Sequence, residues 1–425
     1  MTSNKLQRKK PLNGFCEKII LSTLMLTTLA MAESDIDHPI ERIEVVKDAT
    51  DVHEKDFQDR FHFKGDLRIR YESKEYYYSD GSEKLQYLGR YRLRLGAHVD
   101  ITDHLQLEVG MRSGNANPTS GNQTFVEQEV KNGVITQKNP RALSEYFVDS
   151  MRFNAVALDY TFGNSTLKVG RSPYMMYRPI KSQLVWDNDI SLDGINYQYN
   201  DKSNMITLGA NQINLAEASV NKDIINLVIA QYVRTTKFES TKLNLGAGFY
   251  YYDGVKGNTS LYTSNKTSSM GNTMVDASGA IVKEDGTFVN DYHIAEGFAE
   301  LKFKNVLGFP LALAAGVAYN TAATEKNFGY DVAFQVGKAK KVHDWQLKYS
   351  YTDLQEDATL GAHSDSDNMG GGTAAKGHAI RTKYKFGKNT YLAATMFYNT
   401  RYASKDAKAE GTDYERVQLD AIIKF

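Results

Sequence analysis

The sequence predicts an all-β fold: a transmembrane antiparallel β-barrel of about 16 strands, with short turns at one rim and long loops at the other. Three observations carry this. Apolar and polar residues alternate with period two from residue 61 to the last residue. About sixteen segments show the pattern, an even number, as a closed antiparallel barrel with both termini on one side requires. The connections between them alternate in length. Alternation marks a two-faced strand because successive side chains point to opposite faces.

Composition narrows the alternatives. The chain has 425 residues, with 51 Lys+Arg balanced by 51 Asp+Glu and one Cys. Zero net charge leaves no basic excess for nucleic-acid phosphates, and one Cys excludes a disulfide framework or a Cys-rich metal site. Mean hydropathy is −0.47, and beyond position 32 no apolar run approaches the roughly 20 residues of a spanning helix. A barrel is untouched by that argument, since only every second strand residue need be apolar.

The elements follow in order. Lys5, Arg8, Lys9, Lys10 and Lys18 flank the apolar run from Ile19 to Ala30, and Ala30-Met31-Ala32 supplies a small-x-small cleavage pattern. Residues 1–32 therefore read as a secretory signal peptide rather than a membrane anchor. Cys16 lies before the apolar run, so a lipoprotein attachment site is not indicated, and cleavage removes the one Cys. It also removes five of the 51 basic and one of the 51 acidic residues, leaving a mildly acidic mature chain. Residues 33–60 are highly charged and read as a periplasmic N-terminal segment, either a short amphipathic helix or a solvated linker.

The barrel is expected over 61–425. Strands are placed near 61–72, 87–100, 104–113, 149–161, 166–172, 190–200, 204–214, 223–235, 240–253, 292–304, 311–321, 327–338, 344–354, 377–387, 390–402 and 413–425. Connections near Thr102-Asp103, Gly163-Asn164, Asp201-Lys202, residues 307–310 and Lys388-Asn389 are short. Those near 114–148, 173–189, 254–291 and 355–376 are long. Short periplasmic turns and long extracellular loops are the outer-membrane arrangement, which a soluble sandwich would not need. The 27 Tyr would serve as aromatic girdles. In the last segment Val417, Leu419, Ala421, Ile423 and Phe425 share one face. It resembles the closing strand of outer-membrane barrels, whose terminal aromatic, here Phe425, serves as the insertion signal read by the barrel-assembly machinery.

Three stretches carry a wider resemblance. Gly114, Asn117, Pro118, Ser120, Asn122, Gln123 and Thr124 form one. Gly170, Arg171, Pro173 and Pro179, then Leu184, Val185, Trp186, Asp187, Asp189 and Gly194 form the second. Gly337, Lys338, Asp344 and Trp345, then Asp365, Ser366, Asp367, Gly371, Gly372, Thr373, Gly377 and His378 form the third. Together they resemble the putative porin family of Gram-negative outer-membrane β-barrels, over most of the chain beyond residue 88. The resemblance implies a diffusion channel for small hydrophilic solutes or ions. Outer-membrane lipid surrounds it, and it is a homotrimer by analogy with porins of that size.

With the apolar faces toward lipid, the opposite faces look into the lumen, and about sixteen strands leave a water-filled channel. Lys64, Arg68, Arg70, Arg90, Arg92, Arg94 and Arg112 then stand inside, joined through the closing strands by Arg381, Lys383 and Lys385. This is one continuous basic wall, and charged side chains lining a pore set selectivity by their field. The opposed acids are fewer: Asp66, Glu108, Asp420, Glu296 and Glu300. An anion preference is expected. The segment Ser172 to Asp189 is too apolar for a solvated loop and should fold inward as a constriction, with Arg171, Tyr174, Tyr177, Arg178, Trp186, Asp187 and Asp189 as its candidate residues. Segment 114–140 is a second candidate for inward folding, whereas 254–291, rich in Ser, Thr, Gly and Asn, reads as a flexible exposed loop.

Asp365, Asp367 and Asn368 have calcium-loop-like spacing, but the closing Glu is missing and a polar turn is preferred. No cofactor is indicated. There is no nucleophile elbow and no His pair at metal-binding spacing, so an enzyme is not expected. The competing reading is a surface adhesin or structural barrel with a plugged lumen.

Overall fold

The computed structural model describes residues 57–114, 119–131, 133–138, 151–213, 224–259, 269–402 and 411–425. The expected export signal, the charged segment as far as residue 56, and Asn117 and Pro118 lie outside the described residues.

Sixteen strands close into one antiparallel barrel. They are β1 (Phe61–Tyr77), β2 (Glu83–Asp100), β3 (Leu105–Ser113), β6 (Met151–Phe162), β7 (Ser165–Pro173), β8 (Ser191–Asn200), β9 (Asn204–Gln212), β10 (Asn226–Lys237), β11 (Thr241–Asp253), β15 (Tyr292–Val306), β16 (Phe309–Asn320), β17 (Phe328–Gly337), β18 (Trp345–Leu354), β19 (Ala375–Lys385), β20 (Thr390–Arg401) and β21 (Asp413–Lys424). Each segment read from alternation corresponds to one of them. Closure runs from Asp66↔Lys424 to Tyr77↔Asp413 between β1 and β21. Gly65 and Phe425 complete it by exchanging backbone hydrogen bonds of 2.6 and 3.0 Å. A closed ladder satisfies every strand's backbone groups within the protein, which the bilayer interior demands.

The outward face carries Ile69, Leu95, Val169, Ile195, Val228, Leu245, Leu313 and Val332, all exposed. Aromatic pairs mark both rims. Phe162–Tyr197 (6.5 Å between ring centres) and Phe309–Trp345 (5.1 Å) lie near the short turns. Tyr71–Tyr87 (6.4 Å) and Tyr330–Tyr351 (6.1 Å) lie near the long loops. Amphipathic rings favour the lipid–water boundary.

Two loop expectations are corrected. Segment 114–140 does not simply fold inward. Its β4 (Gln123–Lys131) and β5 (Val134–Lys138) form a hairpin that pairs with the loop-side half of β2, from Lys84↔Lys131 to Tyr91↔Gln123. Among the described residues of the segment, 119–122 turn into the lumen, where Arg68 donates to Asn122 and Ser366 to the Thr119 carbonyl. Segment 254–291 is not uniformly exposed either. It holds the small sheet of β12 (Met274–Val275), β13 (Ile281–Val282) and β14 (Thr287–Phe288). Val255, Met274 and Phe288 from it are buried, since burying each such side chain contributes about 1.5–3 kcal/mol.

These side chains join a core inside the loop-side half of the barrel. Ile225, Leu227, Ile229, Tyr250, Tyr252, Tyr292 and Ile294 supply its wall, while Leu184, Val185, Trp186 and Leu360 come from loops. The inner face is therefore apolar over part of β10, β11 and β15, where the loops pack, and polar elsewhere.

Candidate functional site: the lumen and its inward loops

The inward register of β1, β2 and β21 sets cations side by side. Arg68 faces Arg92 and Arg70 faces Arg90. Like charges directly opposite destabilise a sheet, so the arrangement needs carboxylates, and they come from two sources. Within the wall, Arg92 bonds Asp66 (2.9 Å), Arg70 bonds Asp420 (2.6 and 2.7 Å) and Arg416 bonds Glu72 (2.6 Å). From the loops, Asp189 pairs with Arg94, and Asp367 pairs with Arg70 (3.1 Å) and Arg416 (2.8 Å). Asn122 accepts a further bond from Arg68 (2.6 Å).

The wall predicted from alternation is thus inward but covered. Arg68, Arg70, Arg92 and Arg112 are buried, Arg70 being 1% exposed. Sequence reasoning missed Glu72 and Arg416, although both continue the inward parity of Arg70 and Gln418. Lys64 sits nearer the turns, 2.6 Å from His98, beside a cluster in which Lys168 bonds Glu108 (2.8 Å) and Asp159 (2.5 Å). On the closing strands, Arg381 bonds Ser350 (3.1 Å) and pairs with Asp365 (3.4 Å). Lys383 and Lys385 rest over the ring of Tyr391, each 5.2 Å from its centre.

The loop between β7 and β8, residues 174–190, crosses the lumen. A close strand contact precedes it: Gly170 has φ 118°, and a Cβ there would stand 2.4 Å from the Val156 carbonyl oxygen. Arg171 lies in β7 itself and pairs with Asp193 on β8 (2.5 Å), so it is not part of the crossing loop as expected. Tyr177 anchors the loop to β10 and β15. Its amide donates to Gln231 (2.7 Å), its hydroxyl bonds Glu300, and Lys302 and Asn244 donate to that hydroxyl (3.1 and 2.7 Å). Mid-loop, Ser182 donates to Asp331 on β17 (2.5 Å), and Lys348 on β18 donates to the Ile180 carbonyl (2.8 Å). The far end reaches β2 through Asp189.

Internal staples hold the crossing in shape. Arg178 donates to the carbonyls of Ser182 (3.0 Å) and Trp186 (2.9 Å) and to Asn188 (2.5 Å), while stacking over Tyr174 (5.2 Å). Ile180 and Lys181 adopt φ of 45° and 55°. A branched residue there is costly, about 1–3 kcal/mol, and persists only where surroundings impose it. Trp186, 1% exposed, packs on Tyr174 (5.7 Å), Tyr250 (5.1 Å) and His363 (5.5 Å).

The two acids of this loop differ. Burial raises the Asp189 carboxyl, but Arg94, Arg92 and Arg112 outweigh it and hold the group down at about 2. Asp187 is raised well above the usual carboxylate range by burial and then by Asp189 and Asp365. It accepts from the backbone amides of Asp189 (2.8 Å) and Ser366 (2.9 Å), so it ties two loops together rather than opposing the arginines. The second loop, 355–374, meets it there. His363, whose imidazole is pushed down to about 3 by burial, accepts the Asp187 amide on its carbonyl (2.7 Å), and its Nδ1 lies 2.9 Å from the Tyr252 hydroxyl.

The calcium-like stretch is a turn. Asp365 accepts from the amides of Asp367 (2.8 Å) and Asn368 (3.1 Å), and Asp367 faces Arg70 and Arg416. Among the described residues no cluster of three potential metal ligands occurs. Phe425 projects outward at the seam, 60% exposed.

A family model described as putative porin matches residues 77–291 and 288–425. Among solved structures, the high-pH form of Pseudomonas putida OprB superposes with a TM-score of 0.53 at 14% identity, covering 87% of this chain and 95% of that one. Its low-pH form gives 0.49 at 10% identity over 87% and 94%. Salmonella typhi OmpF, in complex with daunomycin, gives 0.46 at 12% identity over 87% and 99%. At such identities the first of these likenesses speaks to the fold alone. Among curated proteins, none matches in sequence.

Proposed function

The chain belongs to the putative porin family of outer-membrane barrels, and from that premise we propose that it is a passive diffusion channel for small hydrophilic solutes, with a preference for anions. The observation that carries this reading is the loop 174–190. It crosses the lumen from Tyr177 at β10 and β15 to Asp189 at β2 and narrows it beside polar space lined by Lys181, Lys348 and Arg381. A water-filled path bounded by fixed charges selects by size and by field, with no chemical step. Arginine stays charged at any physiological pH, so the bias would hold across the neutral range. A homotrimer in outer-membrane lipid, inserted by the barrel-assembly machinery through Phe425, completes the proposal.

The test is liposome swelling with solutes graded in size and charge. Passage should fall with size and, at equal size, favour anions over cations. Equal rates for both signs would remove the anion preference.

One observation favours a second reading. The apolar cluster around Trp186, Tyr250, Tyr252 and Tyr292 fills part of the lumen, as it would in a plugged barrel that serves as a structural element or presents its loops to a partner. Such a barrel would pass no solute at all.

A further inference from the structure

The cations that line open space beside the crossing loop are not the acid-paired arginines of β1 and β2 but Lys181 and Lys348 with Arg381 and Lys383 of β19. Two adjoining clefts lie beside the crossing loop and share Lys181, Gln183, Lys348 and Arg381 as lining; counted with the solvent they open onto, they hold about 480 and 410 Å³ of empty space. Four cationic side chains line the pair, the fourth being Lys383, against two carboxylates, Asp331 and Asp365. Both carboxylates are already engaged, Asp331 by Ser182 (2.5 Å) and Asp365 by Gln183 (3.0 Å) and, at a longer 3.4 Å, by Arg381 itself. Strand register builds the wall: Gln335, Lys348 and Arg381 stand abreast on β17, β18 and β19, and Gln346 stands beside Lys383 one step nearer the turns. Amide side chains both donate and accept hydrogen bonds, so the surface alternates positive charge with groups suited to hydroxyls.

We propose that this cleft is a binding subsite for small hydroxylated carboxylates. Lys348, Arg381 and Lys383 take the carboxylate, and Gln335 and Gln346 take the hydroxyls. The subsite rests on the channel reading above, as a station on the path. Occupancy is weak and reversible, since a conducting site must release what it binds.

The probes are gluconate, the uncharged sorbitol and the hydroxyl-free acetate, titrated calorimetrically into the folded full-length protein in detergent, with bilayer conductance of the unaltered protein measured alongside. Gluconate should bind more tightly than acetate, and sorbitol should give no heat. Lys383→Gln should weaken gluconate at least fivefold. Gln346→Leu should weaken gluconate while leaving acetate unchanged. Equal binding of gluconate and acetate, or gluconate binding indifferent to both substitutions, would overturn the subsite even in a conducting protein. A protein that binds gluconate as described but carries no current would overturn the channel and keep the subsite.

Discussion

Arg70 on the first strand and Asp420 on the last meet in a two-pronged ion pair, Nε to Oδ1 at 2.6 Å and Nη2 to Oδ2 at 2.7 Å, across the seam that closes the barrel. Both are about 1% exposed. Paired geometry of this kind is among the stronger side-chain contacts, and removing one partner of a buried pair costs about 3–5 kcal/mol. Asp420→Asn should therefore lower the temperature at which the compact form converts to the unfolded form on a gel. The double change Arg70→Met with Asp420→Leu should recover part of the loss, because both charges of the pair leave together, while Asp367 keeps Arg416 (2.8 Å) and Arg68 loses its 3.9 Å contact with Asp420. An unshifted Asp420→Asn transition would show that the seam does not depend on this pair.

Asp189 is the carboxylate through which the crossing loop meets Arg94. Its low protonation range, about 2, keeps it ionised at any pH near neutrality. Asp189→Asn leaves Arg92 and Arg94 less compensated, so the zero-current potential in a salt gradient should shift toward anion selectivity, equally at pH 6 and pH 8. An unmoved potential would place this cluster away from the conduction path.

Trp186 fixes the middle of the same loop against Tyr250 and His363. Truncating a buried Trp costs about 3–5 kcal/mol. Trp186→Ala should slacken the crossing, raising single-channel conductance and current noise. Unchanged conductance would mean that another segment sets the narrowest point.

The pH dependence follows from His363. Its folded-state value of about 3 lies below its ordinary value of 6.5, so the stability it contributes is complete above about pH 6.5 and is lost as pH falls toward 3. The thermal transition of the folded barrel should fall between pH 7 and pH 4. His363→Gln, which does not titrate and retains hydrogen-bonding groups for Tyr252, should show a smaller fall. An equal fall in both proteins would assign the acid sensitivity elsewhere.

The barrel itself was legible because period-two alternation is a strictly local signal. Leu243 to Tyr251 or Val417 to Phe425 reveal their two faces without knowledge of any partner strand. The β4–β5 hairpin was also written in the chain, since Asn132-Gly133 between β-branched residues is a hairpin signal, but the polar segment around it masked the pattern. The electrostatic state of the wall was not legible. Parity places Arg70 inside, yet its covering acid Asp367 lies 297 residues away and arrives on a loop. Parity also shows Lys348 facing inward, but only the path of the crossing loop decides that space remains beside it. The buried Val255, Met274 and Phe288 were hidden for the same reason, being isolated apolar residues in a polar loop whose core partners are distant in sequence.

The most direct test of the central claim is single-channel recording from the purified, folded protein in planar bilayers. A water-filled barrel narrowed by the 174–190 loop should give discrete open-channel steps with a near-linear current–voltage relation, and the steps should grow in Trp186→Ala. Absence of current from protein that shows the compact, heat-modifiable form would contradict the channel and identify a closed barrel.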